Sequence, residues 1–186
     1  MDKKNPRLAV FIDASNIWQA QKVKGRMFDF AKLQNYLSSH YSATAISCYY
    51  YTAYPADGTR SYNTDAKHKF FTYLKRNLGY IVRKKELKRI VVRTDIGRTV
   101  QEKGNMDVEM TIDAIDVKDT YDTAVFFTGD SDFLALVTHL QNSGKNVYIY
   151  SSKNNVSSEL RTGANGYTDI LKITADIWGP TLALRR

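Results

Sequence analysis

Aspartates that directly follow apolar runs are the residues of this chain best suited to chemistry. Residues 125–127 form an apolar run without polar alternation, which predicts a strand buried on both faces, and Gly129 ends it. Asp130 and Asp132 then flank a single serine, and apolar residues at helical spacing begin at Phe133. One acid at a helix start is explained by N-capping, but two acids exceed what a cap requires. We therefore expect a metal or phosphate site here.

A further aspartate ends the first apolar run of the chain. Residues 8–12 predict a strand, and Asp13 follows it directly. In a parallel sheet the carboxyl ends of the strands share one edge, which is where open α/β sheets bind ligands. If the two strands are neighbours at the switch in strand order, Asp13 and Asp130 converge in one crevice. Asp107, near the start of the preceding helix, is expected to approach from the side, and Asp132 to complete the cluster.

Carboxylates this close together favour a bound cation. They cannot all be ionised in an empty site because they repel one another. A hard divalent ion removes that conflict, and Mg²⁺ and Mn²⁺ prefer oxygen ligands. The expected metal ligands are Asp13, Asp107, Asp130 and Asp132. Asn16 has two open interpretations: its amide orients a phosphate or the attacking water, or it caps a helix.

Several other site classes fit the sequence less well. The three histidines are scattered, which argues against zinc, and there is neither a glycine-rich P-loop nor a dinucleotide fingerprint. A metal-dependent adhesion module would need serine at position 17, where Ile17 stands. A haloacid-type phosphatase would need a second aspartate at position 15, where Ser15 stands. Hydrolysis of phosphodiester bonds is the chemistry that the acidic cluster favours.

The net charge of +8 is unevenly distributed along the chain. Residues 60–103 hold thirteen Lys/Arg against four acids, a net of +9, whereas residues 104–132 hold eight acids and one lysine, a net of −7. This pattern is expected of a polyanion-binding surface beside a cation site and favours a nucleic acid over a neutral metabolite. The expected phosphate-contacting residues are Arg83, Lys84, Lys85, Lys88, Arg89, Arg93 and Arg98.

Composition indicates one soluble domain in a reducing compartment. The chain has 186 residues, 43% of them hydrophobic and 25% charged, which is ordinary for a single domain with a sizeable core. The single cysteine, Cys48, excludes an intramolecular disulfide framework. No apolar run is long enough for a membrane helix or a signal peptide. We expect a cytoplasmic protein without a membrane partner, and a homo-oligomer remains an open alternative.

Strand patterns alternate with helical patterns along residues 1–186, which we interpret as one domain. This alternation predicts an α/β fold with a doubly wound, mainly parallel sheet and right-handed crossovers. A basic excursion near 83–103 is expected to be an extended hairpin, and a tail near 175–186 carries apolar residues that could cover a partner or the domain's own sheet. The predicted strands are 8–12, 45–54, 80–82, 90–92, 123–128, 146–150 and 170–173. The predicted helices are 28–37, 61–78, 106–117, a segment from 133, and 156–165.

Three segments, in order, resemble the motifs of NYN domains of the LabA-like group, in the PIN-like nuclease superfamily. They are Phe11–Ile17, Lys103–Asp113 and Thr128–Phe133, and the resemblance spans roughly residues 7–174. Positions matching the family motifs are Asp13, Asn16, Asp107, Asp130 and Asp132. Between the first Asp and Asn this chain has Ala14 and Ser15, where the family commonly has a small or acidic residue, often Gly-Glu. That departure leaves the metal-binding residues intact, but it is expected to alter the contacts of the site with the substrate phosphate.

The resemblance implies both a fold and an activity. The implied fold is a PIN-like, Rossmann-like three-layer α/β/α sandwich. The implied activity is Mg²⁺- or Mn²⁺-dependent cleavage of a nucleic acid, RNA rather than DNA. The alternative is an RNA-binding or regulatory protein that keeps the acidic pocket without efficient turnover.

Overall fold

The fold is described from a computed structural model that covers residues 5–55, 59, 65–94, 97–174 and 177–182, without the side chain of residue 94. Parts of three predicted segments lie outside these residues. They are the beginning of the helix predicted at 61–78, residues 95–96 of the basic excursion, and both ends of the C-terminal tail.

Strands and helices alternate along the described chain. The strands are β1 (Arg7–Asp13), β2 (Arg26–Phe28), β3 (Ala45–Tyr54), β4 (Ile81–Glu86), β5 (Lys88–Thr94), β6 (Gly97–Lys103), β7 (Thr123–Phe127), β8 (Asn146–Ser151), β9 (Gly166–Asp169) and β10 (Trp178–Thr181). The helices are α1 (Ala14–Lys24), α2 (Phe30–His40), α3 (Asp65–Arg76), α4 (Asp107–Asp116), α5 (Leu134–Asn142) and α6 (Ser158–Gly163). Short 3₁₀ turns occupy Lys118–Thr120, Ser131–Phe133 and Ile170–Lys172. None of the described helices has the length and apolar character needed to cross a membrane.

Six strands form a parallel sheet in the order β4-β3-β1-β7-β8-β9. The strand order reverses between β1 and β7, which lie side by side with Ile12 opposite Phe127. The predicted doubly wound parallel sheet is therefore confirmed. The strands that precede Asp13 and Asp130 are neighbours at the switch point, which is the position expected to hold a ligand.

Two apolar layers cover the two faces of this sheet. Adjacent residues of β1, Val10 and Phe11, point to opposite faces and are both fully buried. Val10 belongs to the layer packed against α1, α2 and α3, and Phe11 to the layer packed against α4, α5 and α6. A strand covered on both sides needs apolar residues at every position, which is the pattern of β1 and β7. The protein is a three-layer α/β/α sandwich, as expected.

The basic excursion is an antiparallel hairpin, β5–β6, that stands apart from the main sheet. The strands predicted at 80–82 and 90–92 are too short, because the basic residues between them also belong to strands. β4 pairs with β3 as far as Glu86, and only Leu87 separates β4 from β5. An edge strand tolerates such basic side chains because one side of it faces solvent.

Two predicted segment boundaries are also wrong. The last strand of the main sheet is β9 rather than residues 170–173, because the Asp169 carboxylate accepts the Leu171 N–H at 3.1 Å and starts a 3₁₀ turn. Phe28 belongs to β2, and α2 begins at Phe30 because Asp29 caps it.

The described part of the C-terminal tail docks on its own domain. β10 pairs antiparallel with β2, and Trp178 packs edge-on against Phe28 with ring centroids 5.0 Å apart. Ile177 and Trp178 are both buried. Of the two alternatives left open by the sequence, these apolar residues cover the domain itself.

Candidate functional site

Asp13 and Asp130 lie next to each other at the carboxyl edge of the central strand pair. Asp13 is the last residue of β1, and Asp130 is the third residue after β7. Because β1 and β7 pair directly as far as Ile12 and Phe127, the ends of the two strands bring Asp13 and Asp130 to the same edge of the sheet. Asp107, the first residue of α4, lines the same cleft of about 570 Å³. Asp132 lines an adjoining shallow pocket together with Asp107.

Burial and the neighbouring negative charges raise the pKa of two of these acids, Asp107 and Asp13. Burial raises the pKa of Asp107 to about 6, and the negative charges of Asp130, Asp13 and Asp132 add to this effect. Burial also raises the pKa of Asp13, although hydrogen bonds from Ser15 oppose the change. Two of the four carboxyl groups, Asp13 and Asp107, are therefore harder to ionise than a free carboxyl group.

Each of the central carboxylates is also held by a local donor. Asp13 caps α1 and accepts both the N–H (2.8 Å) and the hydroxyl (2.7 Å) of Ser15. Asp130 accepts the N–H of Asp132 at 3.0 Å, and Asp107 accepts the side-chain amide of Asn105. In this arrangement no three acidic, histidine or cysteine side chains of the described residues are disposed to hold one ion.

The donor set nevertheless suits a hard cation. Asp13, Asp107 and Asp130 line one cleft, and carboxylate oxygens are the ligands that Mg²⁺ and Mn²⁺ prefer. A cation bound here would offset the repulsion that raises the pKa of Asp107. It would compete with the Ser15 hydroxyl for Asp13 and with the Asn105 amide for Asp107.

Asn16 lies behind the cleft, and it is Asp13, not Asn16, that caps α1. Its side chain is buried and donates to the Tyr150 carbonyl at 3.2 Å. Its oxygen accepts the Ser151 hydroxyl at 2.7 Å and the Asn155 amide at 3.0 Å. Asn16 therefore ties the start of α1 to the end of β8 and to the loop that follows it.

Gly129 allows the loop after β8 to pack against the base of Asp130. A Cβ atom at Gly129 would lie 2.0 Å from the Asn155 carbonyl oxygen and 2.9 Å from Ser151 Oγ. The Ser157 N–H also donates to the Gly129 carbonyl at 3.0 Å. Ser151 and Asn155 are not among the residues predicted from the sequence, although a polar run directly after a strand at this edge is a signal that could have identified them.

The predicted basic residues fall into two groups. On β4, Arg83 forms two hydrogen bonds to Asp113 at 2.9 and 3.0 Å, and Lys85 pairs with Glu109 at 2.6 Å. Lys84 lies over the Tyr54 ring, with Nζ 5.8 Å from its centroid. These side chains bind α4 or pack on aromatic rings, so much of their charge is already offset. The others lie on the hairpin: Lys88, Arg89, Arg93 and Arg98.

The base of the hairpin adjoins the acidic cleft. Lys88 and Lys103, opposite each other at the open end of the hairpin, line a pocket together with Gly104 and Asn105. Gly104 and Asn105 also line the acidic cleft. A polyanion that contacts the two lysines would therefore lie beside the carboxylates.

Comparisons with known proteins agree with this architecture. The NYN domain model matches residues 7–171. The chain is 30% identical over 171 residues to the "Low amplitude and bright protein LabA" of Synechococcus elongatus, covering 92% of this chain and 87% of that protein. The crystal structure of VPA0982, a protein of unknown function from Vibrio parahaemolyticus, superposes with a TM-score of 0.65 at 22% identity, covering 96% of this chain and 99% of that chain. At that identity the last comparison concerns the fold alone.

The order of the acidic motifs, the three-layer fold and the match over nearly the whole chain lead to the same family. NYN domains are generally nucleases, so a nuclease or RNA-related role is supported. The chain belongs to the NYN domain family and is a LabA-like member of it.

Proposed function

We propose that this protein is a metal-dependent ribonuclease that hydrolyses RNA phosphodiester bonds in the acidic cleft. The observation that carries this proposal is that Asp13, Asp107 and Asp130 line one cleft at the switch point of the sheet. The cleft adjoins a basic hairpin, as expected for a site that takes a polyanion. Membership of a family of nucleases supports the same conclusion, and the choice of RNA follows the family resemblance.

The residues have separate roles in this proposal. Asp13, Asp107, Asp130 and Asp132 would hold Mg²⁺ or Mn²⁺, and the ion would activate water and offset charge on the phosphate. The paired strands β1 and β7 hold Asp13 and Asp130 at a fixed spacing.

Positioning groups and hairpin cations have supporting roles. Asn16 and Gly129 keep the loop after β8 packed beneath the two strand ends. The hairpin cations, Lys88 among them, attract the phosphate backbone through a salt-dependent interaction.

A cleavage assay with matched variants tests the proposal. We expect the wild-type protein to cleave a labelled single-stranded RNA in Mn²⁺ faster than DNA of the same sequence. Removing a residue that only hydrogen-bonds to a metal ligand typically lowers activity by roughly 10–100-fold. We expect Asp130→Asn, which removes a metal ligand itself, to lower the cleavage rate by more than this. Asp116→Asn is the control, because Asp116 is an exposed acid at the other end of α4 from Asp107. Absence of metal-dependent cleavage of any RNA or DNA would overturn the proposal.

The second candidate is an RNA-binding or regulatory protein that retains the acidic pocket without efficient turnover. The observation that favours it is that Ser15 donates hydrogen bonds to both carboxylate oxygens of Asp13, which a metal ion would have to replace. It predicts RNA binding that is unchanged by Mn²⁺, with no cleavage. Mn²⁺-dependent cleavage that is lost in Asp130→Asn would exclude it.

A further inference from the structure

We propose that the aromatic part of the cleft is a pocket for one unpaired nucleobase, so that the substrate is single-stranded nucleic acid. This inference deepens the proposed function, and rests on it for the placement of the phosphate beside Asp13. Binding of the base itself can be measured without turnover.

The pocket is part of the cleft that Asp13 lines. β3 lies on the side of β1 opposite β7, so its end and Asp130 flank Asp13 from opposite directions. The volume of about 570 Å³ falls in the range of roughly 300–1,000 Å³ typical of pockets for small ligands. Its large aromatic and apolar lining residues include Trp18, Met27, Phe28, Phe30, Tyr50 and Phe70.

Trp18 and Met27 expose large apolar surfaces inside this cleft. Trp18 is 44% exposed and Met27 is 39% exposed, whereas the neighbouring wall residue Phe30 is 6% exposed. Removing an exposed indole or thioether group from water is favourable and therefore stabilises the bound ligand. Trp18 lies on α1, the helix that Asp13 caps, so the same element positions the indole and the carboxylate. A base stacked on Trp18 would thus hold its own phosphodiester close to Asp13.

The floor of the pocket is packed before any ligand binds. Phe30 contacts Tyr50 edge-on and Phe70 at a tilt, each with ring centroids 5.5 Å apart. Tyr50 and Phe70 also meet edge-on at 5.7 Å. Among the described residues, Trp18 takes part in none of these ring pairs, and 44% of its surface is exposed and can be covered by a ligand. Flat aromatic rings in the pocket are the natural partners of a nucleobase, which has a π-face whatever its sequence.

Polar groups on the walls favour a base over a lipid or an apolar peptide. Gln21 and Thr52 line the cleft among the aromatic residues. The Gln21 side-chain oxygen accepts the Phe28 N–H at 2.8 Å, which fixes the orientation of the amide. Single-stranded RNA is recognised by aromatic stacking combined with hydrogen bonds to base edges. A paired base has both faces and its pairing edge covered, so a duplex cannot fill this pocket.

Binding measured in a metal chelator tests the inference independently of turnover. The probes are a short oligoadenylate, the same oligomer with one abasic site moved along it, and a duplex of the oligomer with its complement. Stacking on aromatic residues is worth about 1–3 kcal/mol per base, or roughly 5- to 150-fold in Kd. We expect affinity to fall by this factor, relative to the intact single strand, when the abasic site occupies one particular position and when the oligomer is in a duplex.

Variants of Trp18 make the assignment specific. Trp18→Ala should weaken binding of the intact oligomer by the same factor and make intact and abasic oligomers bind alike, whereas Trp18→Phe should keep most of the affinity. The salt dependence of Kd should not change, because no charge is removed. Tyr73→Ala is the matched control, since Tyr73 is 42% exposed on α3 and lies outside the cleft lining.

The possible outcomes separate this inference from the proposed function. Unchanged binding by Trp18→Ala, or an abasic penalty that persists in that variant, would overturn the base pocket and leave cleavage untouched. Absence of metal-dependent cleavage together with the expected Trp18 effects would overturn the nuclease and leave the pocket in place. A loss of affinity in Tyr73→Ala equal to that in Trp18→Ala would also overturn the pocket.

Discussion

At the scale of single residues, an acid that would bind the metal ion lowers the stability of the folded protein when no ion is bound. The pKa of Asp107 is about 6 in the folded protein, against 3.8 in a model compound. A raised carboxyl pKa gives stability that is fully present below the unfolded pKa and is lost as pH rises through the folded pKa. At neutral pH, therefore, the ionised Asp107 destabilises the metal-free protein.

We expect Asp107→Asn to raise the thermal midpoint of the metal-free protein near neutral pH. The gain should be on the order of 1–2 °C, since a partly exposed charge is screened by solvent. Thermal unfolding in a chelator checks this, and most of the gain should be lost by about pH 4, where Asp107 of the folded protein is protonated and carries no charge. Asp116→Asn should show no such dependence on pH. A gain that is constant between the two pH values would contradict the electrostatic cause.

Gly129 provides a second prediction at this scale. Its replacement by alanine would place a methyl group 2.0 Å from the Asn155 carbonyl oxygen, and backbone cannot move as easily as a flexible side chain. We expect Gly129→Ala to destabilise the protein by about 1–3 kcal/mol, as overpacking does, and to reduce cleavage because Asp130 shifts. Denaturant unfolding measures the first effect. Gly179→Ala is the control, because its added Cβ would meet nothing closer than 3.6 Å.

At the scale of elements, the hairpin should supply the salt-dependent part of RNA binding. Replacing both Lys88 and Lys103 by alanine should reduce the slope of log Kd against log salt by about 1.4, since each phosphate contact in a single strand contributes about 0.7. The matched control is Arg83→Gln with Lys85→Gln, which removes the same charge from residues already paired with acids. Its slope should change less. An equal change in slope for the two double variants would show that Lys88 and Lys103 do not make the phosphate contacts.

The elements that the sequence predicts well are those with a strong local signal. β1 and β7 are buried on both faces, so each is a continuous apolar run that stands out without structural information. β9 is only partly buried and contains no such run, and the apolar Ile170 beyond it enters the core from a 3₁₀ turn. The pairing of β2 with β10 joins segments far apart in the chain. Neither feature has a local pattern that could be recognised.

The same distinction applies to the candidate site. Asp13 and Asp130 could be identified because each directly follows a recognisable strand. The contacts of Asn16 with Ser151 and Asn155 are harder to predict, because these two residues lie at and beyond the end of β8, far from Asn16 in the chain. The aromatic wall of the cleft was missed for a similar reason: its residues lie on five elements and converge only in the folded chain.

At the scale of the whole molecule, metal binding should be visible as stability. A ligand that binds only the folded state at about 100 times its Kd adds about 2.7 kcal/mol, which corresponds to a rise of roughly 5–10 °C in the midpoint for a protein of this length. We expect Mn²⁺ to produce such a rise in the wild-type protein and little in Asp130→Asn. Thermal unfolding with increasing Mn²⁺ measures this without any substrate. Equal shifts in both proteins would show that the ion binds elsewhere.

The short connection between the hairpin and the acid cluster has a thermodynamic consequence. Lys103 ends β6 and Asp107 begins α4, with only Gly104, Asn105 and Met106 between them. An RNA that holds the hairpin therefore restricts the freedom of a metal ligand, and we expect the two to bind cooperatively. Reciprocity then requires the ion to tighten RNA by the factor with which RNA tightens the ion. The Mn²⁺ affinity should rise when a cleavage-resistant oligonucleotide is present, and an unchanged affinity would show that the two sites act independently.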